Sequence, residues 1–342
     1  MKILITGASG FIGSFLVEEA LSQGMEVWAG MRHSSNRQYL TDERIRFAEL
    51  DFSQPDKLRS QMQEHQTAHQ GWDVIVHAAG ATKCLRKEDF DQTNFIGTQN
   101  LVNVLTELHM IPRQFIYLSS LSVFGAIRDQ NASGNEPWCY LPIRDTDTPK
   151  PNTAYGASKL KSERFLMSQP ELPWLIFRPT GVYGPREKDY FLMAQSIKGH
   201  SDFAVGYKPQ EITFVYVKDV AQAIFKAIAL NVTHRAYFLS DGAVYHSRAF
   251  SDLLQKELGN PWVLHIKAPI WVLCSVCAIG GLISQMRHKV GTLNMDKYNI
   301  LRQRNWQCDI TPAEKELGYK PEYPLDRGVR EAVTWYKEQG WL

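Results

Sequence analysis

The stretch TGASGFIGSFLVEEALSQG, residues 6–24, decides the fold of this chain. It follows a short apolar run at residues 2–6, and its own apolar residues recur at helical spacing as far as Gly24. A second strand-like run, MEVWAGMR at residues 25–32, comes next. Strand, glycine-rich turn, helix and strand form a βαβ unit, which indicates a parallel sheet with helices on its faces.

Three glycines, Gly7, Gly10 and Gly13, are evenly spaced in the turn between the first strand and the helix. The first allows a tight turn, the second lets the backbone approach a pyrophosphate, and the third lets the helix pack closely on the sheet. The N–H groups at the start of the helix then face the phosphates. Because the glycines lie within a complete βαβ unit, the sequence predicts a dinucleotide-binding loop.

Further strand-like runs alternate with helical patterns through the first half of the chain, at Ile45–Leu50, Val74–His77, Phe115–Ser119 and Leu175–Arg178. The alternation predicts an α/β fold, a Rossmann-type doubly wound parallel sheet, with the dinucleotide-binding domain over residues 1–180. Beyond it the pattern is less regular. We predict a smaller, mixed C-terminal substrate lobe over residues 181–342, with a helix at Pro324–Glu338 and with the chain crossing back to the first domain.

The composition argues against several classes of function. The chain has 342 residues, 44% of them hydrophobic, and a net charge of +2 with acids and bases well mixed, so no strong field indicates a nucleic-acid partner. Its five cysteines form no disulfide framework and the N-terminus carries no signal-peptide pattern, which predicts a cytoplasmic protein. Cys274 and Cys277 lie in an apolar run without a second pair, so we interpret them as small apolar side chains and predict no metal site.

The end of the second strand bears on which dinucleotide is bound. An acidic residue there would bind the ribose hydroxyls of NAD, but the chain continues with GMRHSSNR at residues 30–37. Arg32 is placed to stack on adenine or to pair with a 2′-phosphate, with Ser34, Ser35 and Arg37 nearby. The sequence therefore favours NADP(H). NAD(H) is the alternative if both arginines are solvated loop charges.

Tyr155 and Lys159 lie four residues apart at the start of a predicted helix, so they share one helical face. A free phenol has a pKa of about 10. A neighbouring ammonium favours the phenolate and moves the phenol toward a pKa suited to general acid–base catalysis. This spacing also arises by chance, so its meaning depends on the motifs around it.

The chain resembles the extended short-chain dehydrogenase/reductase family, which is NAD-dependent epimerase/dehydratase-like, along nearly its whole length. The matching motifs are TGASGFIG at residues 6–13, LDFSQ at 50–54, HAAG at 77–80, TNFIGTQN at 93–100, YLSSLSVFG at 117–125, YGASK at 155–159, FRPTGVYGP at 177–185, FVYVKDVAQAI at 214–224 and the C-terminal stretch from residue 316. This many motifs in the family's order identify the fold and the type of cofactor. They say much less about the substrate.

The resemblance implies a role for each matched residue. Tyr155 would be the general acid/base, Lys159 would also hold the nicotinamide ribose, and Ser120 would hold the substrate oxygen, while the cofactor exchanges hydride. The implied cofactor contacts are Gly7, Ser9, Gly10, Phe11, Ile12, Gly13, Arg32, Asp51, Phe52, Ala78, Ala79, Gly80, Asn94, Tyr155, Lys159, Pro179, Thr180 and Val182. We expect Asp219 to cap a helix or anchor a loop, and His77 to pack at a strand end.

Three departures from the family pattern bear on the substrate. Leu121 and Ser122 stand where sugar-nucleotide dehydratases carry an Asp–Glu pair. Gly181 stands where nucleotide-sugar binders usually have Asn, and Ile212 stands where they commonly have Arg. The chain is thus closer to the ketone-reductase and hydroxysteroid-dehydrogenase branch, with a lipophilic substrate that is sterol-, sphingoid- or long-chain-like. A nucleotide-sugar epimerase and an NADP(H)-binding regulator without turnover are the alternatives.

Residues 268–286 form an uncharged apolar segment with Lys267 before it and Arg287 and Lys289 after it. Its length is near the minimum for a bilayer span, but it contains a proline and two glycines. We interpret it as a lid over a lipophilic pocket. The lid either acts alone or also rests its outer face on anionic headgroups at the inner face of the membrane, and a true span is the third alternative.

The resemblance also implies a homodimer, since the family commonly pairs two long helices of each subunit. Here these would be the segments Gln92–His109 and Tyr155–Gln169. Their candidate apolar contacts are Phe95, Leu101, Val104, Leu105, Leu160 and Phe165. The alternative is that these side chains face the subunit's own sheet.

Overall fold

A parallel sheet of seven strands forms the centre of the protein in a computed structural model that describes residues 1–135, 137–288, 291 and 294–342. Numbered in chain order, its strands are β1 (Lys2–Thr6), β2 (Glu26–Met31), β3 (Arg46–Glu49), β4 (Val74–His77), β5 (Gln114–Leu118), β6 (Trp174–Pro179) and β11 (Arg235–Leu239). Their spatial order is β11-β6-β5-β4-β1-β2-β3. The predicted α/β class and doubly wound sheet are confirmed. The order reverses between β1 and β4, the kind of position where open α/β sheets bind ligands.

Helices cover both faces of this sheet, and others pack in the second lobe. The helices of the described residues are α1 (Phe11–Ser22), α2 (Pro55–His69), α3 (Lys87–Phe90), α4 (Gly97–Glu107), α5 (Ala154–Met167), α6 (Lys188–Lys198), α7 (Val217–Ala229), α8 (Ala249–Glu257), α9 (Ile270–Met286), α10 (Met295–Arg302), α11 (Thr311–Leu317) and α12 (Leu325–Glu338). A π-helix, Asp91–Ile96, joins α3 to α4, and a 3-10 turn, Leu121–Val123, follows β5. Successive residues of β1 point to opposite faces, so Ile3 and Ile5 join one apolar core and Leu4 joins the other.

Short strands and an aromatic core build the remaining lobe. The strands are β7 (Gly181–Tyr183), β8 (Ser201–Val205), β9 (Glu211–Ile212), β10 (Phe214–Tyr216), β12 (Tyr245–His246) and β13 (Leu264–Ala268), paired as β10-β7, β12-β9 and β13-β8. The third apolar core lies here and includes Tyr183, Phe214 and Phe250. Because β11 pairs with β6, the chain returns to the main sheet after this lobe has begun.

Most of the side chains proposed for a dimer interface are buried in the subunit's own core. Leu101, Val104 and Leu105 are buried in one sheet-facing core, and Leu160 is buried in the other. Their apolar spacing therefore reflects packing on the sheet, and they are not available to a second subunit. Phe95 and Phe165 are half-buried and pack edge to face, with ring centroids 6.4 Å apart. The homodimer stays a prediction that light scattering would check.

The apolar segment forms α9, which has two distinct faces. Leu273 and Cys277, one turn apart, are buried, whereas Trp271, Ile279 and Leu282 are exposed. Within the described part of the chain, no helix has the length and apolar character required to cross a bilayer. The flanking residue Lys289 lies outside the described residues.

Candidate active site

Most of the predicted site residues lie at or just beyond the carboxyl ends of parallel strands. Gly7 follows β1, Arg32 follows β2, Asp51 follows β3, Ala78 follows β4, Ser120 follows β5, and Pro179 ends β6. Parallel strands end at one edge of a sheet, so these loops line one crevice. The fold thus brings together residues as far apart in the chain as Gly7 and Pro179, which are separated by 172 positions.

The glycine loop has the shape that a pyrophosphate requires. Gly7 has φ +65°, and a Cβ there would lie 2.7 Å from the backbone nitrogen of Ala79. A Cβ at Gly13 would collide with the carbonyl oxygen of Gly7, which explains why the helix approaches so closely. Gly10 caps α1 without a side chain, and the first turn of α1, where Phe11 and Ile12 lie beside Ser9, holds no acidic residue. The helix start therefore presents N–H groups and a positive dipole end to an anion.

Asn94, in the π-helix, ties the segment after β4 to the catalytic helix α5. Its Oδ1 accepts the N–H of Ala81 at 2.7 Å, and its Nδ2 donates to Ala81 O (3.0 Å) and Ser158 Oγ (2.9 Å). A Cβ at Gly80 would lie 2.9 Å from Asn94 Oδ1 and 3.2 Å from Lys159 Nζ. Glycine at this position therefore leaves room for both polar groups. π-Helical turns are frequent at functional sites.

Lys159 is almost fully buried, with 4% of its surface exposed. Its Nζ donates to the carbonyl oxygen of Leu118 at 2.8 Å and lies 4.6 Å from the ring centroid of Tyr117. Burial lowers the pKa of Lys159 to about 8, although the charge of Glu163 opposes the change. The ammonium is therefore held in a fixed place at the carboxyl end of β5.

Tyr155 lies in the first turn of α5, close to Ser120. Burial raises the pKa of Tyr155 to about 12, and a hydrogen bond with the Ser120 side chain only partly opposes this. The expectation that Lys159 lowers the pKa of Tyr155 is therefore not met in this structure. Burial outweighs it, and the ammonium of Lys159 is directed to the Leu118 carbonyl. At neutral pH Tyr155 is a protonated phenol and so a proton donor.

Gly156 explains how α5 comes so close to Ser120, and the sequence interpretation assigned it no role. A Cβ at Gly156 would collide with the carbonyl oxygen of Ser122 in the turn after β5. Thr153 Oγ1 accepts the N–H of Gly156 at 2.9 Å and so caps the helix. Glycine thus allows the helix start to pack directly on the turn that carries Ser120.

A buried ion pair behind the predicted catalytic residues was also missed. Arg178 of β6 donates to both carboxylate oxygens of Glu163, with Nη2–Oε2 at 2.7 Å and Nε–Oε1 at 3.1 Å. The side chains are 7% and 1% exposed. Ser119 Oγ donates to the same carboxylate. A signal existed in the sequence, because an arginine inside an apolar strand requires a partner, and Glu163 lies one helical turn beyond Lys159.

The outer end of the crevice holds the residues proposed for adenine and its ribose. Asp51 accepts hydrogen bonds from Ser53 Oγ at 2.6 Å and Ser53 N at 3.2 Å, and the Ser53 hydroxyl holds the pKa of that carboxyl below its usual value. Phe52 packs edge to face on His77, with centroids 5.5 Å apart. Arg32 is exposed at the end of β2, as an arginine that meets a phosphate would be.

A carboxylate from the neighbouring strand lies near the end of β2. Glu49 of β3 is in register with Met31, the residue before Arg32, and its Oε2 lies 3.1 Å from Nδ1 of His33. The sequence placed Glu49 in a separate strand, and only the pairing of β3 with β2 brings it here. The residues after β2 are therefore not without an acidic neighbour.

The remaining predicted residues have structural partners. Thr180 Oγ1 donates to Thr213 O at 2.9 Å, and its N–H donates to Leu239 O at 3.0 Å, between Pro179 and Val182. Asp219 is buried and anchors a loop, as expected, by accepting the N–H groups of Glu322 (2.9 Å) and Tyr323 (3.1 Å).

His77 is packed at its strand end, as expected. It is held between Thr6 Oγ1 at 2.7 Å and Thr98 Oγ1 at 3.0 Å. Burial, helped by the charge of Lys159, lowers the pKa of His77 to about 3. The imidazole is therefore neutral at physiological pH and takes a structural place beneath the crevice.

The parallel sheet, the glycine loop and the clustered Ser120, Tyr155 and Lys159 define a dinucleotide-binding protein of the extended short-chain dehydrogenase/reductase class. Residues 3–238 match the sequence model of the NAD dependent epimerase/dehydratase family, and the chain belongs to that family.

Relatives of this chain include both sterol enzymes and nucleotide-sugar enzymes. It is 23% identical to sterol-4-alpha-carboxylate 3-dehydrogenase (decarboxylating) of Candida albicans, over 98% of each chain. It is also 23% identical to a 3 beta-hydroxysteroid dehydrogenase/Delta 5→4-isomerase of Mycobacterium tuberculosis, over 98% of this chain and 90% of the relative. Its structure resembles the dTDP-glucose 4,6-dehydratase DesIV of Streptomyces venezuelae, solved with NAD bound, with a TM-score of 0.78 at 22% identity, covering 100% of this chain and 98% of the other.

Proposed function

We propose that the protein is an NADP(H)-dependent oxidoreductase that interconverts a ketone and a secondary alcohol on a lipophilic substrate. The observation that carries this proposal is the aromatic wall in front of Gly181. A Cβ at this position would lie 2.5 Å from Tyr190 Oη and 3.5 Å from Phe214 Cδ1. An asparagine side chain of the kind that contacts a sugar-nucleotide diphosphate has no room here while Tyr190 keeps its place. The names of the sterol-acting relatives support the same class of substrate.

The aromatic wall is continuous with the core of the second lobe. The Tyr190 ring packs on Phe250 with centroids 4.5 Å apart and lies 6.1 Å from both Tyr183 and Phe214. Ile212, at the position where an arginine would clamp phosphate, is half-buried beside this cluster. Most of this cluster is buried, and Tyr190 and Ile212 are its half-buried members beside Gly181. Apolar side chains at this place favour rings and alkyl chains over a doubly charged diphosphate.

The chemistry follows from the positions of three side chains. In the direction of reduction, the Tyr155 phenol gives its proton to the carbonyl oxygen of the substrate, which the Ser120 hydroxyl holds by a hydrogen bond. The buried ammonium of Lys159 stabilises the phenolate that remains and binds ribose hydroxyls. The nicotinamide supplies the hydride when the cofactor is bound. In oxidation each proton moves in the opposite sense.

Two alternatives remain open, and one set of assays separates them from the proposal. A nucleotide-sugar epimerase is favoured by the fold match to a dTDP-glucose enzyme, and the third possibility is a regulator that binds NADP(H) without turnover. We expect NADPH-dependent reduction of a 3-ketosteroid or a long-chain ketone, and no thermal shift with UDP-glucose or dTDP-glucose. Stabilisation by a nucleotide sugar without ketone reduction would contradict the proposal, and cofactor binding without any turnover would favour the regulator.

Arg32 is the residue on which the proposed NADP(H) preference depends. Arg32→Ala should weaken NADPH binding by about 1.5–3 kcal/mol, the contribution of a charge-assisted contact, which is roughly 10- to 150-fold in Kd. NADH binding should be unchanged, because NADH carries no 2′-phosphate. Titration of both cofactors by intrinsic fluorescence measures this.

Glu49→Gln is the matched control for Arg32, since Glu49 is in register with Met31, the residue before Arg32, and contacts His33, the residue after it. If NADP(H) is the cofactor, this variant should bind NADPH as well as or better than the wild-type protein. A loss of NADH affinity in Glu49→Gln, together with equal binding of both cofactors by the wild type, would assign the site to NAD(H) and overturn the preference.

We also propose that α9 covers the substrate site and rests on an anionic membrane surface at the inner face of the membrane, with the protein otherwise in the cytoplasm. The outward face of α9 carries Trp271, Ile279 and Leu282, and β13 leads into it with exposed Leu264 and Ile266. An exposed apolar face of this size, carrying a tryptophan and bordered by basic residues, is typical of interfacial helices.

Ile279→Glu combined with Leu282→Glu should abolish cosedimentation with phosphatidylglycerol vesicles at low salt, because both substitutions place charge on the lipid-facing side. The control pair is Leu141→Glu with Leu230→Glu, which are also exposed but lie in loops outside α9. Leu273 is unsuitable for this test because it is buried, and a charge there would damage the core. Equal loss in both pairs, or no vesicle binding by the wild type, would refute membrane contact.

A further inference from the structure

The helix that carries Tyr155 is held at its start by a residue from far along the chain. Asp296 Oδ2 accepts hydrogen bonds from the backbone N–H groups of Ala154 at 2.9 Å and Tyr155 at 3.3 Å. The first N–H groups of a helix have no partner within the helix. Thr153 satisfies the group on Gly156, and Asp296 satisfies the two before it. Two of these three capping hydrogen bonds thus come from the second lobe.

The helix α10, which contains Asp296, also binds the segments on either side of the catalytic pair. Asn299 Nδ2 donates to the carbonyl oxygen of Asn152, just before α5, at 2.9 Å. Gln303, at the end of α10, donates through Nε2 to the carbonyl oxygen of Gly125 at 2.9 Å. Gly125 closes the loop that begins at Ser120. α10 therefore contacts both segments that determine where Ser120 and Tyr155 lie.

Charge strengthens this arrangement. The carboxylate of Asp296 faces the positive end of the α5 dipole, and hydrogen bonds to an ionised acceptor are stronger than those between neutral groups. α10 has its own cap, because Asn294 Oδ1 accepts the N–H of Lys297 at 2.9 Å. It packs against α9, the helix proposed above as the substrate lid. A continuous set of contacts thus joins α9, α10 and the first turn of α5.

We propose that Asp296 is a positioning residue, which fixes the phenol of Tyr155 by holding the first two N–H groups of α5 from the lid side of the substrate site. This inference rests on the proposed function for its kinetic consequence, but the geometry of the cap does not depend on the substrate. A shift of about 1 Å in a reacting group can cost about 100-fold in rate. The residue acts through the backbone of Tyr155 and touches no reacting atom.

The test compares Asp296→Ala with Asp296→Asn, which removes the charge but keeps an oxygen acceptor. In Asp296→Ala, hydrogen exchange at the amides of residues 154 and 155 should speed up by about tenfold or more. With a 3-ketosteroid and NADPH, kcat should fall by about 10- to 100-fold while the KM for NADPH stays constant. Asp296→Asn should restore most of both properties. Asp326→Ala, an exposed first-turn acid of α12, is the matched control and should behave as the wild type.

The two readouts separate failure of this inference from failure of the proposed function. Amide exchange needs neither substrate nor turnover, so it decides the cap even if no ketone is reduced. Unchanged exchange in Asp296→Ala would overturn the proposal. So would a fall in kcat that Asp296→Asn does not recover, or a rise in the KM for NADPH that accounts for the whole effect.

Discussion

Tyr155→Phe is expected to lower turnover by about 10²–10⁴-fold, the usual contribution of a positioned general acid or base. The substitution keeps the ring and removes only the hydroxyl that carries the proton. Its partner Ser120 stays in place, because Ser120 Oγ also accepts the N–H of Ser122 at 3.2 Å. Cofactor binding should change little. Steady-state reduction of a 3-ketosteroid, with NADPH affinity measured in parallel, tests the expectation.

Lys159→Met is the informative companion to Tyr155→Phe. It removes the buried ammonium, so both turnover and cofactor affinity should fall. Near-normal turnover by Tyr155→Phe would end the catalytic assignment, and a large loss of cofactor affinity in that variant would point to a structural role for the hydroxyl.

As the pH rises, the rate of reduction should first respond to the loss of the Lys159 proton, and only at higher pH to that of Tyr155. With a pKa of about 12, Tyr155 keeps its proton throughout the neutral range. Lys159, with a pKa of about 8, loses its charge first as the pH rises. The reduction rate should therefore be level below pH 8 and fall above it, since the phenolate formed in the reaction then lacks its cation.

The sequence predicted the parts of the molecule that depend on local patterns. Strand β1, the glycine turn and α1 follow from apolar spacing and from Gly7, and each lies within a residue or two of its predicted position. The pair Tyr155 and Lys159 follows from helical spacing alone. These features were accessible because their physical cause lies within about 20 consecutive residues.

Features that depend on pairing between distant segments were not accessible in the same way. Glu49 reaches the end of β2 only through the register of β3, and Asp296 reaches Tyr155 across 141 residues. The pKa of Tyr155 was expected to fall, but burial raises it, and burial is a property of the assembled fold. Leu101 and Leu160 fitted a dimer interface equally well until their packing on the sheet was known.

The ion pair of Glu163 and Arg178 should dominate the stability of the catalytic helix. Glu163→Ala leaves Arg178 buried without its counter-ion and removes the acceptor of Ser119. Breaking a buried pair from one side typically costs about 3–5 kcal/mol. The free energy of unfolding, measured by urea denaturation, should fall by this amount. At neutral pH the substitution also affects the proposed active site, because burial lowers the pKa of Lys159 and the charge of Glu163 partly opposes that lowering.

The double variant Glu163→Leu with Arg178→Met separates the cost of an unpaired charge from the value of the pair itself. Both charges are absent, so no buried charge is left without a counter-ion. Apolar side chains fill the space between Phe124 and Phe238, which flank the Arg178 guanidinium of the wild type at 5.2 and 5.7 Å. Buried pairs replaced in this way are often neutral or stabilising. We therefore expect the double variant to be clearly more stable than Glu163→Ala, yet to reduce ketones more slowly, because Lys159 has lost the carboxylate that helps to keep it charged. A double variant as unstable as Glu163→Ala would mean that the pair contributes net stability and is not merely costly to break.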